Sequence, residues 1–92
     1  MFRSDSTHPT ACFSLNARAQ TGVMPRVLEL FAKRDLVPSA FVARSAGADE
    51  LTIDVQMDGM ERELADYVAA CMRQIVGVEV VLVAEKRAQR IA

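Results

Sequence analysis

Apolar residues recur along the chain at the spacings of strands and helices, and this pattern predicts an alternation of the two. Residues 11–17 (ACFSLNA) place Phe13 and Leu15 on one side and Cys, Ser and Asn on the other, the period-2 pattern of a half-buried strand. From residue 23 to residue 34 the apolar positions fall on one face of a helix. These positions are Val23, Val27, Leu30 and Phe31. The chain therefore begins with a strand followed by an amphipathic helix.

Prolines and charges set the limits of this helix and of the next strand. Pro25 has no N–H and is tolerated only in a first turn, so the helix should begin just before it. Lys33 and Arg34 are expected in the last turn, where cations complement the helix dipole. Residues 36–44 (LVPSAFVAR) suit a strand. Because Pro38 cannot donate to a ladder, this strand should lie at a sheet edge.

The second half of the chain repeats the strand-then-helix pattern. Residues 51–57 (LTIDVQM) alternate strictly between apolar and polar side chains, which predicts a strand. Residues 58–61 (DGME) fit a capping box with Asp58 in place of Ser or Thr, and they predict the start of a second helix. The apolar face of that helix is expected to consist of Met60, Leu64, Tyr67, Val68, Cys71 and Ile75.

A last strand completes the order βαββαβ. Gly77 is the expected stop of the second helix, and residues 78–85 (VEVVLVAE) form a strand that is apolar on nearly both faces. This order predicts an α+β, ferredoxin-like sandwich: a four-stranded antiparallel sheet with two helices on one face. The expected domain covers residues 11–85, between tails at 1–10 and 86–92.

Composition narrows the classes of function. The 92 residues are 51% apolar and carry a formal charge of −1, so nucleic acid and anionic membranes are not expected as partners. Two cysteines form no CxxC pair, and no apolar run reaches the roughly 18 residues of a membrane span. The first ten residues lack the apolar stretch of a secretory signal. These features predict a reduced, cytoplasmic protein. A domain this short is marginally stable alone, which favours an oligomer.

Two ligand-binding uses of the fold are not supported by the residues at the required positions. RNA-recognition modules of this architecture stack bases on aromatic side chains of the open sheet face. The corresponding positions here are Cys12, Ser14, Asn16, Thr52, Asp54 and Gln56. None is aromatic. A soft-metal carrier needs two thiolates in the first loop, and that loop contains no cysteine.

An acylphosphatase-like enzyme is an alternative, because residues 18–26 (RAQTGVMPR) resemble that family's phosphate loop. In that resemblance Arg26 is a fair match to the phosphate-binding arginine and Arg18 a poor one. The family also uses an asparagine of a later strand to orient water, whereas the single Asn here is Asn16 in the first strand. Thr21 is an insertion in the loop pattern.

Other catalytic groupings are also lacking, so the chain is predicted not to be an enzyme. His8 is the single histidine and lies in the predicted tail, and Cys71 occupies a core position of a helix. Glu61, Glu63 and Asp66 lie in the first turns of that helix, where the dipole explains them. No cofactor is expected to be bound by this chain.

A resemblance that covers more of the chain is to the ACT domain. It rests on residues 23–39 (VMPRVLELFAKRDLVPS) after a glycine-terminated loop, on residues 49–57 (DELTIDVQM) and on residues 77–83 (GVEVVLV). Within that family these segments and the chain length are most similar to the small regulatory subunits of acetolactate (acetohydroxyacid) synthase. The resemblance covers about residues 11–84, and most matching positions are core positions.

The resemblance implies a non-catalytic regulatory subunit that dimerises and binds the large, thiamine-diphosphate-dependent catalytic subunit of acetolactate synthase in branched-chain amino-acid biosynthesis. A stand-alone amino-acid sensor of another pathway is the alternative. An effector such as Val, Leu or Ile would lie between the first loop and the edge strand of a neighbouring copy, near the N-terminus of the helix. The residues implied are Ala19, Gln20, Thr21, Gly22 and Val23, facing Val37 and Pro38.

Four departures from the family pattern bear on that site. Thr21 replaces a proline, Asp35 replaces a glycine, and Ala19 and Val37 stand where effector-sensitive relatives commonly carry Asn. Each unmatched polar group of a bound ligand costs about 1–3 kcal/mol. Valine feedback is therefore expected to be weak or absent.

Apolar residues outside the core stripes predict a homodimer. The apolar edge strand invites antiparallel pairing with a second copy into an eight-stranded sheet. The interface is expected to contain Met24, Leu28, Ala40, Phe41, Val42 and Ala43. Val81 and Val83 are expected to face away from the core. A monomer with a thick apolar interior is the alternative.

Overall fold

The protein has the predicted order of elements. A computed structural model describes residues 9–86. The elements are β1 (Thr10–Arg18), α1 (Val23–Ala32), β2 (Ala40–Ser45), β3 (Glu50–Asp58), α2 (Arg62–Arg73) and β4 (Val78–Lys86). β1 and β4 therefore each extend one residue beyond the predicted domain. The rest of the predicted tails, including His8, lies outside the described residues except Pro9.

The four strands form one antiparallel sheet in the order β2-β3-β1-β4. β2 lies at an edge, as predicted from Pro38, and its first residue, Ala40, pairs with Gln56 of β3. In the sheet centre Leu15 pairs with Ile53 of β3 and with Val81 of β4. Both helices cover one face, which confirms the ferredoxin-like α+β fold.

The core lies between this sheet face and the two helices. Alternate residues of β1 and β3 point into it, and the predicted stripe of α1 is buried. Phe13 and Phe31 meet edge to face, with ring centroids 5.9 Å apart and planes at 77°. Such a pair contributes about 0.5–1.5 kcal/mol beyond the area that it buries. Every buried residue among those described is apolar.

The predicted capping box at the start of α2 is wrong. Asp58 is the last residue of β3, and its carboxylate accepts a hydrogen bond from the Thr10 hydroxyl at 2.8 Å. Gly59, with φ 76°, then turns the chain, and α2 begins at Arg62 after an N-cap Glu61 that makes no side-chain capping bond. Strand pairing with β1 thus holds Asp58 too far from the helix to cap it.

The predicted apolar face of α2 is rotated from the observed one. Leu64 and Tyr67 are exposed, but Val68 is buried as predicted, and Cys71 and Ile75 pack half-buried against the core. The rest of the buried stripe is Ala65, Ala69 and Met72. Two alanines on this stripe let the helix backbone approach the sheet closely, which a face carrying Leu and Tyr would prevent. Tyr67 instead lies beneath the guanidinium of Arg34, 5.2 Å from the ring centroid. Met60 is buried, but it precedes the helix.

The two helices end earlier than predicted. α1 ends at Ala32 with Lys33 as its C-cap, so neither Lys33 nor Arg34 lies in its last turn. Arg34 still satisfies a carbonyl in the last turn of the helix, because its Nη1 donates to the Leu30 carbonyl at 2.8 Å. Asp35 follows with φ 61°, a left-handed conformation that explains why the resembling family prefers glycine there.

The end of α2 and the orientation of β4 also differ from prediction. α2 ends at Arg73, so Gly77, with φ 100°, does not stop the helix but turns the chain into β4. Val81 is buried and Val83 half-buried on the core side, not directed away from it. A register shift at the start of β4, between Asn16 and Ala17 of β1, determines which residues face the core. The apolar side chains that β4 carries on the open face are therefore those of Val80 and Leu82.

Candidate functional site

A concave pocket lies beside the loop that joins β1 to α1. Its volume is about 230 Å³, and it is open at the end of the sheet where β2 ends and β3 begins. Its lining consists of Ala19, Gln20, Thr21, Met24, Ser45 and Leu51. The loop, the first turn of α1 and the β2–β3 hairpin thus each contribute to one site.

The lining is mainly apolar and carries no charged side chain. Met24, Ala19 and Leu51 supply apolar surface, while Gln20 supplies an amide and Thr21 and Ser45 supply hydroxyls. A few polar groups on an apolar surface are typical of a site for a small organic molecule. The arrangement provides hydrogen bonds but no nucleophile or general base.

Backbone hydrogen bonds hold the pocket loop on both sides. The Arg18 N–H donates to the Gly77 carbonyl at 2.8 Å, and the Ala19 N–H donates to the Asp49 carbonyl at 3.0 Å. The loop is therefore fixed to the turn before β4 and to the hairpin before β3. Within the loop, the Val23 N–H donates to the Gln20 carbonyl at 3.2 Å, which closes the turn into α1.

The N-terminus of α1 offers a ligand few donors. The Val23 N–H is already bonded within the loop, and Pro25 has no N–H. Of the first three helical residues, no more than the Met24 N–H remains for a carboxylate. A ligand carboxylate at this helix end would therefore use the Met24 N–H, the N–H groups of Thr21 and Gly22, which have no backbone partner among residues 9–86, and the polar side chains of the pocket.

The acylphosphatase alternative lacks its geometry. Arg26 is exposed on α1, its guanidinium folds back against Gly22, and it does not line the pocket. Asn16 projects from the opposite, open face of the sheet. Since the arginine and the asparagine lie on opposite sides of the sheet, they cannot act together on one phosphate.

The predicted effector residues are only partly brought together. Ala19, Gln20 and Thr21 line the pocket, and Gly22 is the N-cap of α1 next to them. Val23 is completely buried in the core and cannot touch a ligand, because its position in α1 points it at the sheet.

The two predicted residues outside the loop lie at the other end of the sheet. Val37 and Pro38 precede β2, where the Ser39 N–H donates to the Gln56 carbonyl. They can meet the loop only if a second copy supplies them. The sequence did not indicate Ser45 and Leu51, which join the pocket because β2 and β3 pair them with each other.

Comparison with known proteins identifies the family. A family model described as an ACT-like domain matches residues 4–90. The chain belongs to the ACT-like domain family. Domains of this family are regulatory and non-catalytic, which indicates a role in regulation by a small molecule. No protein with a curated description matches this ACT-like domain.

Solved structures share its fold at low sequence identity. The crystal structure of the ACT domain from GTP pyrophosphokinase of Chlorobium tepidum matches with a TM-score of 0.70 and 15% identity, covering 82% of this chain and 96% of that chain. The C-terminal domain of the MgtC protein from Mycobacterium tuberculosis matches with a TM-score of 0.73 and 15% identity, covering 98% of this chain and all of that chain. At such identity these likenesses concern the fold alone.

Five of the six predicted interface residues of the ACT-like domain lie in β2 or beside its end. Met24 and Leu28 are exposed one helical turn apart, and Met24 reaches the pocket beside Ser45 at the end of β2. Val42 is exposed on the open face of the sheet. The other three, Ala40, Phe41 and Ala43, are half-buried.

Two other kinds of site find no support in the part of the chain that is described. Among residues 9–86, no group of three or more His, Cys, Asp or Glu side chains could hold a metal ion. Cys12 and Cys71 are free and half-buried, on opposite sides of the sheet. Neither helix in this range has the length and apolar character needed to cross a membrane.

Proposed function

We propose that this ACT-like domain is a non-catalytic regulatory subunit that forms a homodimer through β2 and binds a small amino acid in the pocket beside the β1–α1 loop. Its partner in this proposal is the large catalytic subunit of acetolactate synthase. The observation that carries the proposal is the position of the pocket, which opens at the end of an edge strand where a second copy can complete it.

Pairing of two β2 strands would place residues of the second copy along the open side of the pocket. The Ala46 N–H bonds inward to the Glu50 carbonyl, so by alternation the N–H groups of Phe41, Ala43 and Ser45 point away from β3. A two-fold axis at Ala43 sets Ser45 opposite Phe41 of the second copy. The segment with Val37 and Pro38 then runs alongside the pocket, which is where the family resemblance expects it.

Substituting Ala43 by proline tests this pairing. The introduced proline removes an N–H that points away from β3, so the ladder within the domain is kept while the β2 contact between copies is lost. We expect Ala43→Pro to lower the association state and to remove any ligand-dependent rise in melting temperature. Ala43→Ser, which keeps the N–H, is the control. Unchanged association in Ala43→Pro would contradict pairing through β2.

Amino-acid binding can be tested by thermal shift with Val, Leu and Ile. Ala19 and Val37 bring no side-chain amide to the site, so we expect valine to raise the melting temperature only at millimolar concentration. Ala19→Phe fills the pocket and should abolish the rise, whereas Ala48→Phe, at another exposed loop alanine, should not. A shift that survives Ala19→Phe would place the ligand elsewhere.

The partner is tested by reconstitution with the acetolactate synthase large subunit of the same source. The proposal expects co-elution and a changed catalytic rate or thiamine-diphosphate affinity. If the two proteins neither co-elute nor affect each other, the subunit assignment fails. An amino-acid thermal shift that persists would then favour the stand-alone sensor.

A further inference from the structure

The open face of the sheet carries two opposite charges near β2. Arg44 of β2 and Asp54 of β3 are both exposed on this face, and neither belongs to an ion pair among residues 9–86. Between the ends of β1 and β3, Asp54 is the one charged residue that these two strands carry. The Ser14 hydroxyl donates to Oδ1 of Asp54 at 3.0 Å, which holds the carboxylate on the open face.

The two-fold axis at Ala43 aligns these charges across the dimer. Under that axis Arg44 lies opposite Val42 of the second copy. Val42 is itself paired with Asp54 in its own sheet. Each row across the junction therefore contains Arg44 of one copy, followed by Val42 and Asp54 of the other. All three side chains lie on the open face, because residues that face each other across an antiparallel ladder point to the same side.

An arginine side chain can span this row. The Cα atoms of Arg44 and of Asp54 in the second copy are about 10 Å apart when a wide and a narrow antiparallel pair lie side by side. The methylene stem of Arg44 would cross Val42, which is 41% exposed in one copy, and arginine stems commonly pack on apolar surface in this way. The contact also compensates two like charges, since both Arg44 side chains lie beside the axis on the same face.

This contact is specific to one register of the two strands. No other two-fold axis on β2 sets Arg44 opposite Val42. An axis at Val42 sets Arg44 opposite Ala40, which is paired with Gln56, and an axis at Arg44 sets the two arginines opposite each other. Axes farther toward either end place Arg44 opposite residues that precede or follow β2.

We propose that Arg44 of each copy forms an ion pair with Asp54 of the other across Val42, and that these two symmetric pairs fix the register in which a second copy binds β2. The inference rests on the proposed pairing through β2 and adds the charges that determine its register. This register also brings Val37 and Pro38 of the second copy alongside the pocket.

Charge reversal tests the contact, with the dimer dissociation constant measured by sedimentation equilibrium. Arg44→Glu and Asp54→Arg each replace two opposite-charge contacts by two like-charge contacts, so we expect each to raise that constant by about tenfold. Both residues are exposed, and circular dichroism verifies that the fold is kept. Ser14→Ala, which removes the hydrogen bond to Asp54 but keeps its charge, and Arg62→Glu, the same charge change on α2, are the controls. Both controls should keep the constant of the parent protein.

Mixing the two variants distinguishes a contact between copies from one within a copy. In a heterodimer of Arg44→Glu with Asp54→Arg, each of the two junctions joins a carboxylate to a guanidinium, so the mixture should associate about as tightly as the parent protein. A contact within one copy would not be restored by mixing, because each chain would keep its own like-charge pair. A mixture that associates no better than the separate variants would overturn the proposal.

Comparison with Ala43→Pro separates this inference from the proposed function. If Ala43→Pro lowers the molar mass while neither charge reversal weakens association, the pairing through β2 stands and the contact between Arg44 and Asp54 is wrong. If Ala43→Pro and both charge reversals leave association unchanged, the pairing through β2 fails and this inference fails with it.

Discussion

Replacing Phe31 by alanine should cost about 3–5 kcal/mol of the free energy of unfolding, the range for a fully buried phenylalanine. Phe31 is 1% exposed and meets Phe13 edge to face. It is the largest of the four α1 side chains buried in the core. A domain of 92 residues has a total stability of roughly 5–14 kcal/mol, so this one change removes a large share of it.

Denaturant unfolding followed by circular dichroism measures the loss. The matched control is Phe41→Ala, the same chemical change at a half-buried residue of the edge strand, for which about 1–2 kcal/mol is expected. Both variants should be compared at one protein concentration, because self-association adds to the apparent stability. Equal losses at the two positions would mean that the α1–sheet contact is not centred on Phe31.

Gly77→Ala should destabilise the domain by roughly 1–3 kcal/mol more than Gly47→Ala, the range for overpacking a filled site. Both glycines have a positive φ, 100° at Gly77 and 109° at Gly47, so both substitutions carry similar backbone strain. They differ in their surroundings. A Cβ at Gly77 would lie 2.9 Å from Oε1 of Gln20 and 3.1 Å from Cγ2 of Val23, whereas a Cβ at Gly47 meets nothing within 4 Å.

The two neighbours of Gly77 respond differently to the added methyl group. The Gln20 amide is the end of a flexible side chain and can rotate away, but Val23 has no exposed surface and cannot. Gln20→Ala in the Gly77→Ala background should therefore recover only part of the difference in unfolding free energy. Full recovery would show that Val23 is not the cause.

The contact between Gln20 and Gly77 also connects the pocket to the turn before β4. Gln20 lines the pocket on one side and lies against Gly77 on the other, and the Arg18 N–H bonds to the Gly77 carbonyl. Gly77→Ala should thus also move the Gln20 amide and alter any amino-acid-dependent thermal shift. Gly47→Ala, away from the pocket lining, should leave that shift unchanged.

Much of the fold followed from spacing alone. Strict alternation in residues 51–57 indicated β3, and the stripe of Val23, Val27, Leu30 and Phe31 indicated α1 with its correct buried face. Pro38 indicated the edge position of β2. These features were readable because each depends on local geometry: the pleat of a strand, the turn of a helix, or a missing N–H.

The errors occurred where a local signal competed with contacts distant in sequence. Asp58 had the sequence of a cap, but Thr10, 48 residues away, binds its carboxylate within the sheet. α2 had two apolar faces, and the close approach of helix and sheet selected the one with Ala65 and Ala69. Sequence spacing contains no information on either contact.

The candidate site likewise contains residues that the sequence indicated and residues that only strand pairing places there. The loop could be predicted because Gly22 and Pro25 mark the start of α1, but Ala19, Gln20 and Thr21 were assigned to the site by the family resemblance, and they line the pocket. Ser45 and Leu51 could not be predicted, because they reach the pocket through the pairing of β2 with β3. Val23 was assigned to the site by resemblance, and the structure buries it instead.

The sequence by itself determined the class of fold, the order of its elements and the loop that carries the pocket, since these depend on periodicity and on the backbone limits of proline and glycine. Only the tertiary structure decided which face of α2 is buried, how the shift in register orients β4, and which residues of β2 and β3 join the pocket. Those outcomes depend on packing and pairing between segments far apart in the chain. Local periodicity leaves several such arrangements open, and contact between whole elements selects one.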